Sequence, residues 1–521
     1  MRRRDIAAIA CALLAAGCMV GPDYHKPKAP LPPAYPGAPR AGAADPAALE
    51  SWWTLFHDDE LDSLIGRALR NNRDIKAAVS RLRQARAERE VAAGALLPEL
   101  DATAGLNRAL GSRNVQLPLS SLAGSGGGQS GSGSKAPSAQ GGPQPAAATA
   151  SAPAPVPAAP LGGPQSPFGD GGLPGVTTNL YQAGFDAVWE IDVFGGQRRA
   201  VEAAQAEVAA AADAGYGTRI SLLAEVAASY LQVRMAQERG DVARRSIEAQ
   251  KGLLRIAREQ FDAGLGDEVA VAQDAAQLSL DETQLAPLQL SARLSEHVLA
   301  LLLAEDPASV EAELSRRAAL PVLPADLPVD VPSDLLRRRP DVRQAERQLA
   351  AANAQIGVAA AQLYPQFSIT GLLGIDSSDL KHLPEWSSRY YSLAPGISWP
   401  ILDWSRLHAA VRVQNEMEEQ ALLAYQTSVA QALKDVEDAL VQYEEDRSRH
   451  AGLADAVAQA RRAFQVTRQI HEQGLADQTA TLVAQRAVDQ AEDGLAQSEV
   501  GLRLDLVALY KALGGGWRAL P

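Results

Sequence analysis

The sequence predicts an α+β membrane fold in which four β-strands and long coiled α-helices are arranged as two similar halves. Three observations carry that expectation. The chain repeats internally, it contains two very long tracts without proline, and it has strand-length segments with apolar residues at alternate positions.

The repeat comes first because it sets the order of the elements. Leu97-Pro98-Glu99-Leu100 parallels Tyr364-Pro365-Gln366-Phe367, and Asn72-Arg73-Asp74-Ile75 parallels Arg339-Pro340-Asp341-Val342, both at an offset of 267. Trp189-Glu190-Ile191-Asp192 parallels Trp399-Pro400-Ile401-Leu402 at an offset of 210, as do Gly264-Leu265 and Gly474-Leu475. The offset falls by 57, from 267 to 210, between Gly105 and Leu180, so the first half carries extra residues there. That insertion is the tract Gly111 to Val176, rich in Gly, Ser, Ala, Pro and Gln, which has too little apolar surface to offset its ordering entropy. An interdomain linker would have the same composition. The register opposes it, because the flanking segments match one continuous unit of the second half.

Each half reads helix, strand, loop, strand, long helix, tight turn, helix. The long helices are expected over Gln197 to Asp262 and Ser405 to Glu472, both free of proline and rich in alanine and charge. Apolar residues such as Leu222, Val226, Tyr230 and Val233 recur there at helical spacing. At 1.5 Å per residue each helix would be about 100 Å long, a length found in coiled bundles rather than compact enzymes. Strands are expected over Leu100 to Leu106, Leu180 to Val193, Gln366 to Ile375 and Tyr391 to Ile401. In the second, Tyr181, Ala183, Phe185, Ala187, Trp189 and Ile191 share one face, against Gln182, Gly184, Asp186 and Glu190. Such strands suit a transmembrane barrel, although a soluble sheet packed on a core alternates in the same way. Four strands cannot close a barrel alone; three chains would supply twelve.

Met1-Arg2-Arg3-Arg4 followed by the apolar run Ile6 to Ala16 is a secretory signal pattern, too short to span a bilayer. It ends in Leu14-Ala15-Ala16-Gly17-Cys18, which resembles a bacterial lipobox and implies that Cys18 becomes the lipid-bearing first residue. The alternative is an ordinary signal cut near Ala16. Residue 19 is Met rather than Asp, which in bacterial lipoproteins favours delivery to the outer membrane. The Pro-rich stretch Pro27 to Pro39 reads as an extended tether. The domain boundaries expected are 1–17 signal peptide, 18–57 lipid-anchored extended segment, 58–320 first repeat with a long extracellular loop 107–178, and 321–517 second repeat.

Composition excludes several functions. The net charge of −13 argues against a nucleic-acid partner. The only cysteines, Cys11 and Cys18, lie at the N-terminus, and the seven histidines show no pair at metal-ligand spacing. Gly514-Gly515-Gly516 follows a helix and reads as its stop rather than a phosphate cradle, and Asp58-Asp59-Glu60 reads as a helix N-cap. No catalytic residue, metal or cofactor is implied.

The chain resembles the TolC-like outer-membrane factors, specifically the OprM/NodT-type efflux lipoproteins. The resemblance is carried by Gly21-Pro22-Asp23-Tyr24, Asn71-Asn72-Arg73-Asp74, Trp189 to Gly195, Leu327-Pro328 with Pro332 to Leu336, Arg338-Arg339-Pro340-Asp341 and Leu509 to Trp517. It implies a homotrimer whose twelve-stranded barrel continues into a periplasmic α-helical tunnel. It also implies outer-membrane lipid around the barrel, and a periplasmic adaptor and inner-membrane pump, of the RND type, as partners. The adaptor-binding tips would be Gly264-Leu265 and Gly474-Leu475, although the glycines would serve a tight reversal whether or not a partner docks there. The family's acidic aperture would fall to Asp267, Glu268, Asp274 and Asp477, because the second repeat carries Val483 where the family usually has Asp. The function implied is passive conduction of small toxic compounds out of the periplasm. Type I protein secretion through the same duct, and a non-conducting coiled-coil tether, are the alternatives.

Overall fold

The computed structural model describes residues 19–28, 49–110, 176–316, 318, 320–323, 338–473, 475 and 478–517. The chain forms two compact units. One, mostly helical, comprises Met1–Leu96, Asp192–Gln366 and Ser398–Pro521; the other, a sheet, comprises Leu97–Ile191 and Phe367–Ile397. The units therefore divide the molecule by type of structure, and each draws on both sequence repeats.

The helical unit opens with a 3-10 turn, Trp52–Phe56, then α1 (Asp59–Asn71) and α2 (Arg73–Gly94). Asp58 caps α1 by accepting from the Glu60 and Leu61 amides, and Asn72 caps α2 by accepting from Asp74 and Ile75. After the first two strands come α3 (Gly196–Asp262), α4 (Glu268–Thr283), α5 (Leu285–Leu303) and α6 (Pro307–Leu314). The second repeat supplies α7 (Pro340–Ala361), α8 (Trp404–Glu472) and α9 (Gln478–Ala512). With 67 and 69 residues, α3 and α8 start within one residue of the expected positions and end where expected. Gly195, at φ +80°, starts α3, and Gly514, at φ +72°, follows the end of α9. None of the described helices is long and apolar enough to cross a membrane.

The repeat reappears in the hydrogen bonds. Asn72 and Arg339, an offset of 267 apart, hold the N-cap positions of α2 and α7, although only Asn72 caps its helix with its side chain. Asn72 Nδ2 donates to the Leu302 carbonyl at 2.9 Å, and Arg339 Nη1 donates to the Ala512 carbonyl at 3.1 Å. The two acceptors are themselves related by the second offset. One departure breaks the symmetry. Where α9 runs unbroken for 35 residues, the first repeat splits into α4 and α5 at Gln284. Pro287 is the cause: it has no N–H to return to the Thr283 carbonyl one turn back.

The core lies where the middle of α3, from Leu222 to Val233, meets α1, α5, α7, the stretch Tyr425 to Tyr443 of α8, and the end of α9. Trp52 stacks on Tyr510 at 5.2 Å between ring centres, packing the N-terminal 3-10 turn against α9.

In the sheet unit the strands are β1 (Glu99–Leu110), β2 (Thr177–Ile191), β3 (Gln366–Ser377) and β4 (Arg389–Ser398), in the spatial order β1-β2-β3-β4. β2 pairs antiparallel with β1 on one side and with β3 on the other. Two expectations are corrected here. The loop assigned to 107–178 is shorter, because Asn107 to Leu110 pair with Thr177 to Leu180. The strand expected to reach Ile401 stops at Ser398, because Pro400 cannot donate to a ladder and Ile401–Asp403 turn into a 3-10 helix. The insertion tract from Gly111 to Gly175 lies outside the described residues.

Candidate functional site: twin helical tips and a two-faced sheet

The register of the sheet brings its apolar residues onto one face. Tyr181, Ala183, Phe185, Ala187 and Trp189 of β2 stand opposite Ser377, Ile375, Leu373, Gly371 and Ile369 of β3. On the other side Tyr181, Ala183, Phe185 and Ala187 face Leu106, Ala104, Ala102 and Leu100 of β1. The first strand, whose alternation is the weakest in the sequence, thus joins the same face. These side chains are not a soluble core: Phe185 is 51% exposed, Leu373 59%, Leu100 65% and Leu106 66%. A contiguous exposed apolar face marks a surface meant for a non-aqueous neighbour. The reverse face carries Asp101 opposite Asp186, Thr103 opposite Gly184, and Gln182 opposite Asp376. Two carboxylates directly across a ladder repel, so this face needs water around it. The spatial order leaves β1 and β4 at the two edges of the sheet.

After α3, and again after α8, the chain reverses. In the α3–α4 tip the amides of Leu265 and Gly266 donate to the Gln260 carbonyl at 2.8 and 3.1 Å, and Gly264 sits at φ +72°. A Cβ on Gly264 would touch nothing within 4 Å, so glycine is required there for its backbone angle and not for space. In the α8–α9 tip the Leu475 amide donates to the Ile470 carbonyl at 3.0 Å, the same bond 210 residues later. Leu265 is 84% exposed and Leu475 76%. Each tip therefore presents a leucine with most of its surface open. Gly474 and Asp477, with Cys18, fall outside the described residues.

The acidic residues expected at an aperture are not gathered into one group. Asp267 is exposed and caps α4, accepting from the Ala270 amide at 2.8 Å, and Glu268 is exposed beside it. Asp274 is fully buried between α3 and α4, where Gln250 Nε2 donates to its Oδ1 at 3.1 Å and to its carbonyl at 3.2 Å. This corrects the expectation for Asp274: a carboxyl withdrawn from solvent cannot line a water-filled opening. Val483, at the position where acid was expected, is 62% exposed. Among the described residues no group of His, Cys, Asp and Glu could hold a metal ion.

The structure adds a set of polar ties on α9. Arg239 of α3 grips Asp493 through two bonds, at 2.7 and 3.1 Å. Arg461 of α8 holds Glu492 at 2.7 and 2.8 Å. Asp489, one helical turn before Asp493, accepts from Gln485 at 2.8 Å and from Ser246 of α3. Burial raises the Asp489 carboxyl above its ordinary pKa, opposed by those two donors. Above this set, at the α4–α5 break, lies a cavity of about 400 Å³ lined by Asp281, Gln284, Pro287, Asp489 and Asp493. The carboxylates at 489 and 493, and Arg239 and Ser246 seven apart, fall on single helical faces. Spacing was the available signal for them, but helix faces dense in charge do not reveal which charges meet.

A sheet with an exposed apolar face and a polar reverse, in a chain whose longest helices end in paired exposed tips, defines the wall subunit of an outer-membrane channel. The chain belongs to the outer membrane efflux protein family, whose model matches residues 64–144, 158–305 and 331–515. It is similar to nodulation protein T of Rhizobium leguminosarum bv. viciae, 28% identical over 515 residues and covering 99% of this chain and 94% of that protein. It is similar also to the pyoverdine export outer membrane protein OpmQ of Pseudomonas aeruginosa, 29% identical over 480 residues, with 92% of this chain and 90% of that protein covered. Among solved structures it resembles the outer-membrane channel OprN, with a TM-score of 0.80, 31% identity, and coverage of 96% of this chain and all of that one. VceC of Vibrio cholerae shares the fold, with a TM-score of 0.74 at 21% identity over 90% of this chain and 99% of that one. The protein is thus an efflux duct of the outer membrane that extends into the periplasm.

Proposed function

We propose that three copies of this chain form the exit duct of a tripartite efflux assembly and passively conduct small toxic compounds from the periplasm to the outside. The observation that carries this reading is the two-faced sheet. Its exposed apolar side suits lipid, its acidic side suits a water-filled lumen, and its two edge strands need partners. Three four-stranded sheets joined edge to edge give a closed barrel of twelve. Cys18 carries the lipid anchor. An adaptor docks on the tips at Gly264-Leu265 and Gly474-Leu475, and an energised inner-membrane pump of the RND type supplies the cargo. Asp267, Glu268 and Asp477 remain the acidic residues of the aperture. For the tips to part, α9 must move past α3 and α8, so the ties at Asp489, Glu492 and Asp493 hold the duct shut. No chemical step is assigned to the chain; the work is done by its partners.

Cysteine pairs placed on β1 and β4 test closure. Disulfide-linked trimers and ion conductance in planar bilayers are expected together, and a monomer that leaves bilayers silent would overturn the reading. Relaxing the ties should raise conductance without changing the trimer.

A further inference from the structure

The segment Met19–Lys26, which contains the Gly21-Pro22-Asp23-Tyr24 motif, is seated on the helical unit by contacts that fit it closely. The Val20 amide donates to the Phe194 carbonyl at 3.0 Å. Gly21, at φ +95°, lies so near α7 that a Cβ on it would come within 2.5 Å of the Gly357 Cα. A Cβ on Gly357 would in turn meet Arg199 Cγ at 2.7 Å and the Val20 carbonyl at 2.9 Å, and one on Gly195 would meet Met19 at 2.8 Å. Glycines on both sides of the contact therefore make room for one another.

Arg199, on the first turn of α3, is the polar centre of the groove. Its side chain is 2% exposed, and it donates to the Val20 carbonyl at 3.3 Å, the Gly21 carbonyl at 3.4 Å, Asp23 Oδ1 at 2.7 Å and Glu202 Oε2 at 2.8 Å. Three of these four acceptors belong to the segment. The segment thus supplies most of the acceptors that the Arg199 donors meet, and covers the guanidinium as it does so. Lys26 closes the far end, 2.5 Å from Glu346 of α7.

We propose that the groove formed by Gly195, Arg199 and Gly357 is a binding site for the chain's own segment Met19–Lys26, and that it makes the acylated terminus a fixed part of the helical body. The ligand is an extended peptide with glycine at the point of closest approach and a carboxylate two residues later. The stretch read from sequence as a tether, Pro27 to Pro39, follows directly on the seated segment, and most of it lies outside the described residues. The position of the anchor rests on the lipidation of Cys18 proposed above; the groove does not.

Hydrogen exchange of the full-length protein in detergent tests the site. Gly21→Val alters only the seated segment, so the helical body has no reason to unfold. The Val20 amide is expected to exchange roughly tenfold faster or more, with helix content and melting unchanged. A labelled peptide of residues 19–28 should then bind the Gly21→Val protein and not the wild type, whose groove is already filled. Arg199→Ala should abolish that binding in the Gly21→Val background. Unchanged Val20 exchange in Gly21→Val, or equal peptide binding to both proteins, would overturn the proposal. The mass of the N-terminal peptide reports acylation separately: an unmodified Cys18 beside a protected Val20 would remove the anchor and leave the groove standing.

Discussion

The ties on α9 allow the closed duct to be loosened by a calculable amount. Arg239 and Asp493 form a two-bond pair at 2.7 and 3.1 Å, with side chains 29% and 35% exposed. Such geometry is worth about 1 kcal/mol once solvent screening is allowed for. Arg461–Glu492 is shorter but its arginine is 59% exposed, which brings it down to about 0.5 kcal/mol. Replacing Asp493 by Asn and Glu492 by Gln removes both. In a trimer the loss is on the order of 4–5 kcal/mol, which shifts a closed–open equilibrium by roughly three orders of magnitude. Planar-bilayer recording reads this directly, as a rise in open probability of the double variant. The Arg239→Asp, Asp493→Arg exchange should restore closure, since it rebuilds the pair with its charges reversed. If the double variant keeps the open probability of the wild type, the ties do not hold the duct shut.

Two other predictions follow from single side chains. Burial, with a hydrogen bond and repulsion from Asp446, pushes Asp505 up to about 7. The folded protein therefore holds that proton more tightly than the unfolded chain does. The contribution of Asp505 to stability should be fully present below the ordinary carboxylate value, be lost as pH rises from there towards 7, and stay constant above it; thermal melts of the wild type and Asp505→Asn across that range check this, the difference between the two carrying the slope. At the tips, Leu265→Ser or Leu475→Ser should weaken adaptor capture by on the order of ten- to a hundredfold, because burying a leucine is worth about 1.5–3 kcal/mol. Melting should change little, since both side chains are largely exposed.

How much of this was legible in the sequence varied with the range of the forces involved. The ends of α3 and α8 were readable because local signals fix them: Gly195 and the Gly264 turn bound one, and the absence of proline lets both propagate. The period of the strands gave the two-faced sheet, since alternation needs no knowledge of the partner. Asn72 and Arg339 stood out as a repeat pair, and their shared bond from the N-cap position to a repeat-related carbonyl, Leu302 or Ala512, explains the match. Asp274 did not reveal its burial. It lies on a helix with acidic and small residues on several sides, and only the approach of Gln250 from α3 decides its environment. The seating of Met19–Lys26 was hidden for a similar reason: Gly357 and Arg199 lie far along the chain from Gly21, and no local pattern joins them. The break at Gln284 was different. It is set by one local residue, Pro287, but a proline in the first turn of a helix is tolerated, so the residue alone does not say that a helix of this length is divided there.

That break gives the two halves different mechanical roles. In the second repeat α9 runs as one rod from its tip to the core residues Leu506 and Tyr510, so movement at the tip is carried into the core. In the first repeat α4 is separated from α5 at Gln284, and the cavity of about 400 Å³ beside the break gives the separated helices room to turn. The Gln250–Asp274 contact ties α4 to α3 on the tip side of the break, and the second repeat has alanines, Ala460 and Ala484, at those two positions. The hypothesis is that α3 and α4 move together at the first tip and hinge at Gln284, while α9 swings as a whole. Pro287→Ala returns an N–H to the Thr283 carbonyl and should join α4 to α5, so that opening must disturb the core in both repeats; open probability in planar bilayers should fall. Gln497→Pro, the equivalent position in α9, should create a second hinge and raise it. Equal open probability for Pro287→Ala and the wild type would show that the break is a local accommodation of proline with no part in opening.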